Sequence, residues 1–160
     1  MRRLPPSADA ATSAMSVLNK ILNGVKTKAV ATLRIANDVE SGGPVIEIEG
    51  EDSGLLIGRR GETLRALQFL VNVIINSKRS EKTRVSLDVE QYRARREKVL
   101  REMAIRVGNR VIATRRSITL EPMNAAERRI IHITLSDHSG IVTESIGFGN
   151  DRKVTVALSD

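Results

Sequence analysis

The chain has 160 residues, with 26 lysines and arginines against 19 aspartates and glutamates, which gives a net charge of +7 at pH 7. At 41% hydrophobic residues, it can bury one medium core or two small ones, which excludes a disordered basic tail or a fibrous protein. The absence of cysteine excludes a disulfide scaffold, a thiolate zinc finger and a cysteine nucleophile. The positive charge favours a polyanionic partner. An aromatic content of 2% nearly excludes a surface that binds bases by stacking them on several rings.

No run of residues approaches the roughly 18 apolar residues that a membrane span requires. The N-terminus also lacks the apolar segment of a secretory signal peptide. These features predict a cytoplasmic protein without membrane insertion.

The first ninety residues are predicted to fold in the order α-β-β-α-α-β. Residues 1–13, rich in Pro, Ala, Ser and Thr, are expected to form a disordered leader. Apolar residues at helical spacing predict a short helix from Met15. Alternating apolar residues then predict a hairpin with one buried face. The hairpin strands, a short helix, a longer buried helix and a third strand are predicted near residues 31–35, 46–49, 53–57, 64–76 and 85–89.

The composition changes at Gln91, and residues 91–160 carry five of the seven net positive charges. An arginine-rich helix is predicted over 91–116, followed by a short strand. Asn124 and Glu127 have the spacing of a capping box, which predicts the start of a second helix. Alternation then predicts two final strands, so we expect two helices on a small three-stranded sheet. The three strands are predicted at residues 118–120, 141–146 and 153–158.

The first candidate site is the loop Gly58-Arg59-Arg60-Gly61 between two predicted helices. Glycines let another backbone approach closely, and the following helix begins with unpaired N–H groups. Such a loop can clamp the sugar–phosphate backbone of a single strand, while strand 83–89 accepts bases by edge contacts. The alternative interpretation is that the glycines only cap two packed helices.

This loop, in the string IGRRGETL and within that order of elements, resembles the type II KH domain over residues 14–90. The resemblance implies an α+β fold and binding of single-stranded nucleic acid at Gly58, Arg59, Arg60 and Gly61.

The second candidate site is Arg128 and His132, which project from one face of a helix because they lie four residues apart. An arginine fork, together with an imidazole that gains a proton near neutral pH, suits a phosphate group. Arg129 adds a further charge. The alternative is that His132 orients Arg128 instead of contacting ligand. With its long basic helix and closing hairpin, the segment 91–160 resembles an R3H domain.

A KH domain followed by an R3H domain, with the string PMNAAERRIIHITLSD, resembles the Jag family (SpoIIIJ-associated protein) of bacterial RNA-binding proteins. Jag proteins often begin with an additional small domain. We expect this chain to lack it, because only the leader precedes the KH unit.

The resemblance implies an RNA-binding regulator or chaperone with a role in cell shape or division. Single-stranded DNA as ligand, association with a second KH protein or with itself, and an adaptor role for membrane-insertion or cell-division machinery remain open alternatives. The chain shows no metal-ligand cluster, no cofactor motif and no obvious nucleophile, so we expect no metal, no cofactor and no enzymatic activity.

Overall fold

A computed structural model of the chain describes residues 6–39, 41–77 and 79–159. These residues divide into two compact units, one ending at Arg93 and the other beginning at Ala94. The division falls within the first turn of a long helix, three residues beyond the predicted boundary at residue 90.

The first unit has the predicted order α-β-β-α-α-β. Its elements are α1 (Pro6–Gly24), β1 (Val30–Asp38), β2 (Gly43–Glu49), α2 (Ser53–Ile57), α3 (Glu62–Asn76) and β3 (Ser86–Val89). The sheet order is β1-β2-β3. Strand β2 pairs antiparallel with β1 and parallel with β3, so the predicted hairpin is confirmed.

The core of the first unit lies between this sheet and its helices. Alternate strand residues such as Ile46, Ile48 and Leu87 are fully buried, and α3 contributes the buried residues Leu64 and Val71. Because strand side chains alternate between faces, the helices cover one face and leave the polar residues of β2 and β3 on the other.

The predicted disordered leader is wrong for residues 6–13, which form the first two turns of α1; residues 1–5 lie outside the described chain. Pro6 suits the first helical position, where its missing N–H costs no hydrogen bond. Ala10 and Ala14 are fully buried, so this part of the helix packs closely. Arg79 also holds it, donating to Asp9 Oδ2 at 2.6 Å and to Ser13 Oγ at 3.2 Å.

The second unit has the expected architecture of two helices on a three-stranded sheet. Its elements are α4 (Tyr92–Thr114, whose first two residues belong to the first unit), β4 (Ile118–Thr119), α5 (Ala125–Ser136), β5 (Ile141–Ile146) and β6 (Lys153–Leu158). The sheet order is β4-β6-β5, with antiparallel pairing throughout. Val154 and Val156 are fully buried on β6 and pack in one core with Leu100 of α4 and Ile131 of α5.

Candidate nucleic-acid interface

Residues 58–61, the GxxG loop, join α2 to α3 in a tight turn. Gly58 and Gly61 have φ angles of +67° and +75°, a left-handed region that glycine adopts without strain. A Cβ atom at Gly58 would overlap Thr63 Oγ1, and one at Gly61 would lie 2.7 Å from Tyr92 Cε1. The packing of the loop therefore requires both glycines, independently of any ligand.

The two arginines of the GxxG loop have different surroundings. Arg59 is exposed, whereas Arg60 is half-buried. Arg60 also has φ +53° and ψ +34°, a conformation that is uncommon for a residue with a Cβ atom. The structure thus brings the four predicted residues together at one turn, with Arg59 the more open to solvent, and their contact with a ligand stays a prediction.

Polar residues that the sequence places along α3 face strand β3. The side-chain amide of Asn72 accepts from Val85 N and donates to Val85 O, both at 2.8 Å. Asn76 makes the same pair of bonds to Thr83, at 2.9 and 2.8 Å. Thr83 and Val85 precede β3, so these two amide side chains satisfy backbone groups of the segment that leads into the strand.

Gln68 completes this row of amides at the other end of the strand. Its Oε1 accepts from Leu87 N at 3.0 Å and from Arg93 Nη2 at 2.9 Å, and Arg93 also donates to Leu87 O. Backbone groups of Thr83, Val85 and Leu87 are thus already hydrogen-bonded to amide side chains, and base contacts along strand 83–89 stay a prediction.

Two adjoining cavities of about 430 and 200 Å³ follow β3 and share Gln68 and Arg84 in their walls. We call them together the basic groove. One acidic side chain, Asp88, lines it, and its basic side chains are Arg34, Arg65, Lys82, Arg84 and Arg93. Arg65, which lines the groove, lies on α3 four residues after Gly61 of the GxxG loop. Sequence reasoning missed the groove because these cations come from separate segments of the chain.

The capping box at the start of α5 is confirmed. Asn124 Oδ1 accepts from Glu127 N, and Glu127 Oε2 accepts from Asn124 N, both at 3.1 Å. Arg96 Nε on α4 donates to the other oxygen of Glu127 at 2.8 Å. A buried carboxylate with these partners fixes where α5 begins, and so fixes which residues project from each of its faces.

Arg128 and His132 project from the same face of α5, as predicted. Arg128 Nη1 donates to the carbonyl oxygen of Met123 at 2.9 Å, which leaves the remaining N–H groups of the guanidinium for other acceptors. Arg129, the next residue, is exposed. Two arginine side chains are therefore presented at the first turns of this helix.

His132 lies between two hydroxyl groups of β5. Its Nδ1 is 2.7 Å from Thr143 Oγ1 and its Nε2 is 2.9 Å from Ser145 Oγ, and each hydroxyl can either donate to the ring or accept from it. Burial lowers the pKa of His132, and the nearby Arg128 guanidinium lowers it further. Both effects favour the neutral ring and so disfavour the expectation that His132 gains a proton near neutral pH.

Sequence reasoning missed Thr143 and Ser145. The only signal was the alternation along the predicted strand, which places both on the same face as Ile141. We call Arg128, Arg129, His132, Thr143 and Ser145 the α5–β5 site.

Within residues 6–39, 41–77 and 79–159, no group of three or more His, Asp or Glu side chains is arranged to hold a metal ion. In the same part of the chain, no helix has the length and apolar character to cross a membrane.

Two family models match the chain, and both agree with the folds of the two units. The model described as KhpA/KhpB, KH domain covers residues 16–89, and the R3H domain model covers residues 98–158. The fold and the two sites thus define a two-module protein with a KH domain followed by an R3H domain.

The chain is similar to several curated proteins named RNA-binding protein KhpB. The identity is 44% to the protein from Clostridium symbiosum, over 71% of this chain and 51% of that protein. It is 41% to the protein from Bacillus subtilis (strain 168), over 69% and 54%, and 30% to that of Streptococcus pneumoniae, over 91% and 43%. The chain spans about half the length of the first two relatives. It is a KH–R3H protein of the Jag type.

Proposed function

We propose that the chain binds single-stranded RNA through two cationic sites, one in each unit. The observation that carries this proposal is the basic groove, in which five cations and one acidic side chain line a cleft that includes Arg65, four residues after the GxxG loop. The names of the KhpB relatives, which identify them as RNA-binding proteins, support the same ligand class. On this proposal the protein acts as an RNA-binding regulator or chaperone.

In the first unit, the GxxG loop would hold the backbone of the RNA and the basic groove would continue the contact. KH domains clamp about four nucleotides in this way. Gly58 and Gly61 keep the loop compact, so that phosphates can approach the backbone and Arg59. Because the row of amides occupies the edge of β3, bases in the groove would meet side chains such as Phe69 and Arg84, instead of the strand backbone.

In the second unit, the α5–β5 site would bind further phosphates. The hydrogen bond to Met123 holds the Arg128 guanidinium in place, which reduces the entropy lost when it binds. Arg129 supplies a second charge. The neutral His132 would act through Thr143 and Ser145, whose hydroxyls can donate to phosphate oxygens.

We propose that this activity is binding alone, without turnover, metal or cofactor. We also propose a cytoplasmic location, since that is where the proposed RNA ligand is made.

The test is an equilibrium titration of a short labelled single-stranded oligoribonucleotide with wild-type protein and the double variant Arg59→Asp, Arg60→Asp. We expect about a 100-fold loss of affinity, because two cations beside the phosphates become anions. The matched control is Lys20→Asp, Lys26→Asp. Both lysines are exposed in the same unit, and Lys26 has a φ of +56°, close to that of Arg60.

The control variant has the same net charge as the loop variant and is expected to bind almost as tightly as wild type. Equal losses in the two variants would show that net charge, and not the GxxG loop, governs binding. A parallel titration with single-stranded DNA of the same sequence distinguishes RNA binding from general single-strand binding.

A second candidate function is association with another KH protein or with a second copy of this chain, as an adaptor would require. The observation that favours it is an exposed apolar face on α3. Phe69 is 66% exposed, and its neighbours on that face are between 47% and 49% exposed: Leu70, Val73 and Ile74. A charged substitution such as Val73→Glu should abolish any self-association seen by sedimentation velocity.

A further inference from the structure

Phe148 is the most exposed aromatic side chain that the structure describes. It lies in the turn between β5 and β6 and is 92% exposed. The chain has one other phenylalanine and one tyrosine. Phe69 and Tyr92 belong to the first unit, so Phe148 is the one phenylalanine, tyrosine or tryptophan of the second unit. A phenyl ring left in water contributes no burial free energy to the fold, so this ring is available to contact a ligand.

The turn presents Phe148 on an ordered backbone. Gly147 and Gly149 on either side have φ angles of +86° and +54°. Phe148 itself is extended, with φ −129° and ψ 154°, and its carbonyl oxygen accepts from Asp151 N at 3.1 Å. This geometry directs the ring outward from the tip of the hairpin.

Hydrogen bonds connect the turn that carries Phe148 to the α5–β5 site. Met123, whose carbonyl holds Arg128 at 2.9 Å, donates its N–H to Arg152 O at 3.1 Å. Arg152 directly follows the turn. On the other strand of the hairpin, Ser145 contacts His132 and lies three residues before Phe148. The residues on both sides of the turn are therefore hydrogen-bonded, directly or through Met123, to Arg128 and His132 of the α5–β5 site.

The charges around the tip favour a polyanion. Arg152 is exposed and Lys153 is half-buried, and Arg128 is linked to Arg152 through Met123, so three cations lie along this path. Its exposed acidic residues are Glu144 and Asp151. A single strand whose phosphates lie on these cations has unpaired bases with free faces, and a ring at the same level can stack on one of them.

We propose that Phe148 stacks on a base of the single strand whose phosphates occupy the α5–β5 site. This inference rests on the proposed function. It gives the second unit a base contact, which favours single strands over duplexes because paired bases keep their faces stacked in the helix.

The test compares two short oligonucleotides with the same number of phosphates, one an ordinary oligoribonucleotide and the other abasic. We expect Phe148→Ala to weaken binding of the ordinary strand about tenfold and to leave binding of the abasic strand unchanged. Phe148→Trp should retain the affinity. Because the chain contains no tryptophan, its fluorescence would come from position 148 alone, and we expect the ordinary strand to quench it and the abasic strand not to.

The matched control is Val142→Ala, which truncates a 49% exposed apolar residue elsewhere on β5 and should change neither affinity. If Phe148→Ala binds both strands as wild type does, while Arg128→Ala weakens both, this inference is overturned and the proposed function stands. If the wild-type protein binds neither strand, both proposals are overturned. If Phe148→Ala instead loses binding to vesicles of phosphatidylglycerol and phosphatidylcholine and keeps its RNA affinity, the tip contacts lipid and the stacking proposal is wrong.

Discussion

The GxxG loop and the α5–β5 site both present arginines, but the two regions hold them in different ways. In the loop, glycine geometry fixes the backbone, and Arg59 extends into solvent. In the second site, a regular helix provides the backbone, and a hydrogen bond from Arg128 to the Met123 carbonyl fixes the side chain itself. One region is ordered through its main chain and the other through its side chains, so we expect the two to respond differently to substitution.

The largest expected effect is on stability, from a substitution that the backbone of the GxxG loop cannot accommodate. Gly58→Ala forces a Cβ atom into Thr63 at a φ of +67°, which should lower the free energy of unfolding of the first unit by about 3 kcal/mol. Urea unfolding followed by tyrosine fluorescence measures this unit, because the single tyrosine of the chain, Tyr92, packs there.

The control for that experiment is Gly54→Ala. A Cβ atom at Gly54 in α2 meets nothing within 4 Å, so this change should be neutral or stabilise by up to about 1 kcal/mol. Equal destabilisation by the two variants would show that the loop geometry is not the constraint.

A smaller effect is expected from a side chain of the α5–β5 site. Arg128→Ala should weaken RNA binding about tenfold, because it removes a charged fork that is already held in place. Arg129→Ala should weaken it only about threefold, since an exposed arginine loses more side-chain entropy on binding. Isothermal titration of the two variants measures both losses, and a larger loss from Arg129 would contradict the role assigned to the Met123 hydrogen bond.

The smallest effect concerns the ionisation of His132. Since burial and Arg128 lower its pKa in the folded protein, the folded state binds fewer protons than the unfolded chain at mildly acidic pH. The stability contribution is therefore complete above the unfolded pKa and is lost as the pH falls through the folded pKa. Proton NMR should find a titration midpoint below that of an unstructured peptide.

Arg128→Ala should raise this midpoint only in part, because burial is the larger cause. The His138→Asn variant assigns the two histidine signals of the chain. A midpoint at or above the peptide value would contradict the neutral ring that positions Thr143 and Ser145.

Local patterns were sufficient to predict most elements of the fold. Strict alternation identified β6 over residues 153–158, and the spacing of Asn124 and Glu127 identified the start of α5, because both signals depend on near neighbours in the chain. The first turns of α1 were missed, since they depend on packing by Ala10 and on Arg79, which is far away in sequence.

The same distinction separates the predicted part of the interface from the part that was missed. The GxxG loop and the spacing of Arg128 and His132 are short motifs, visible within a few residues. The basic groove and the hydroxyl partners of His132 form only when distant segments of the chain fold together, so no local sequence pattern predicts them. Likewise, spacing along one helix could not predict that Asn72 and Asn76 of α3 pair with the backbone of Val85 and Thr83.

The central claim is that cations of the GxxG loop and of the α5–β5 site each neutralise phosphates of bound single-stranded RNA. The most direct measurement is the dependence of the binding constant on salt for wild type, Arg59→Ala, Arg128→Ala and the control Lys20→Ala. We expect a steep loss of wild-type affinity with salt, and a slope of log K against log salt that decreases by about 0.7 for each phosphate contact removed. The Arg59 and Arg128 variants should each show this decrease, and the control should not. A flat wild-type response, or slopes unchanged in both site variants, would contradict the account.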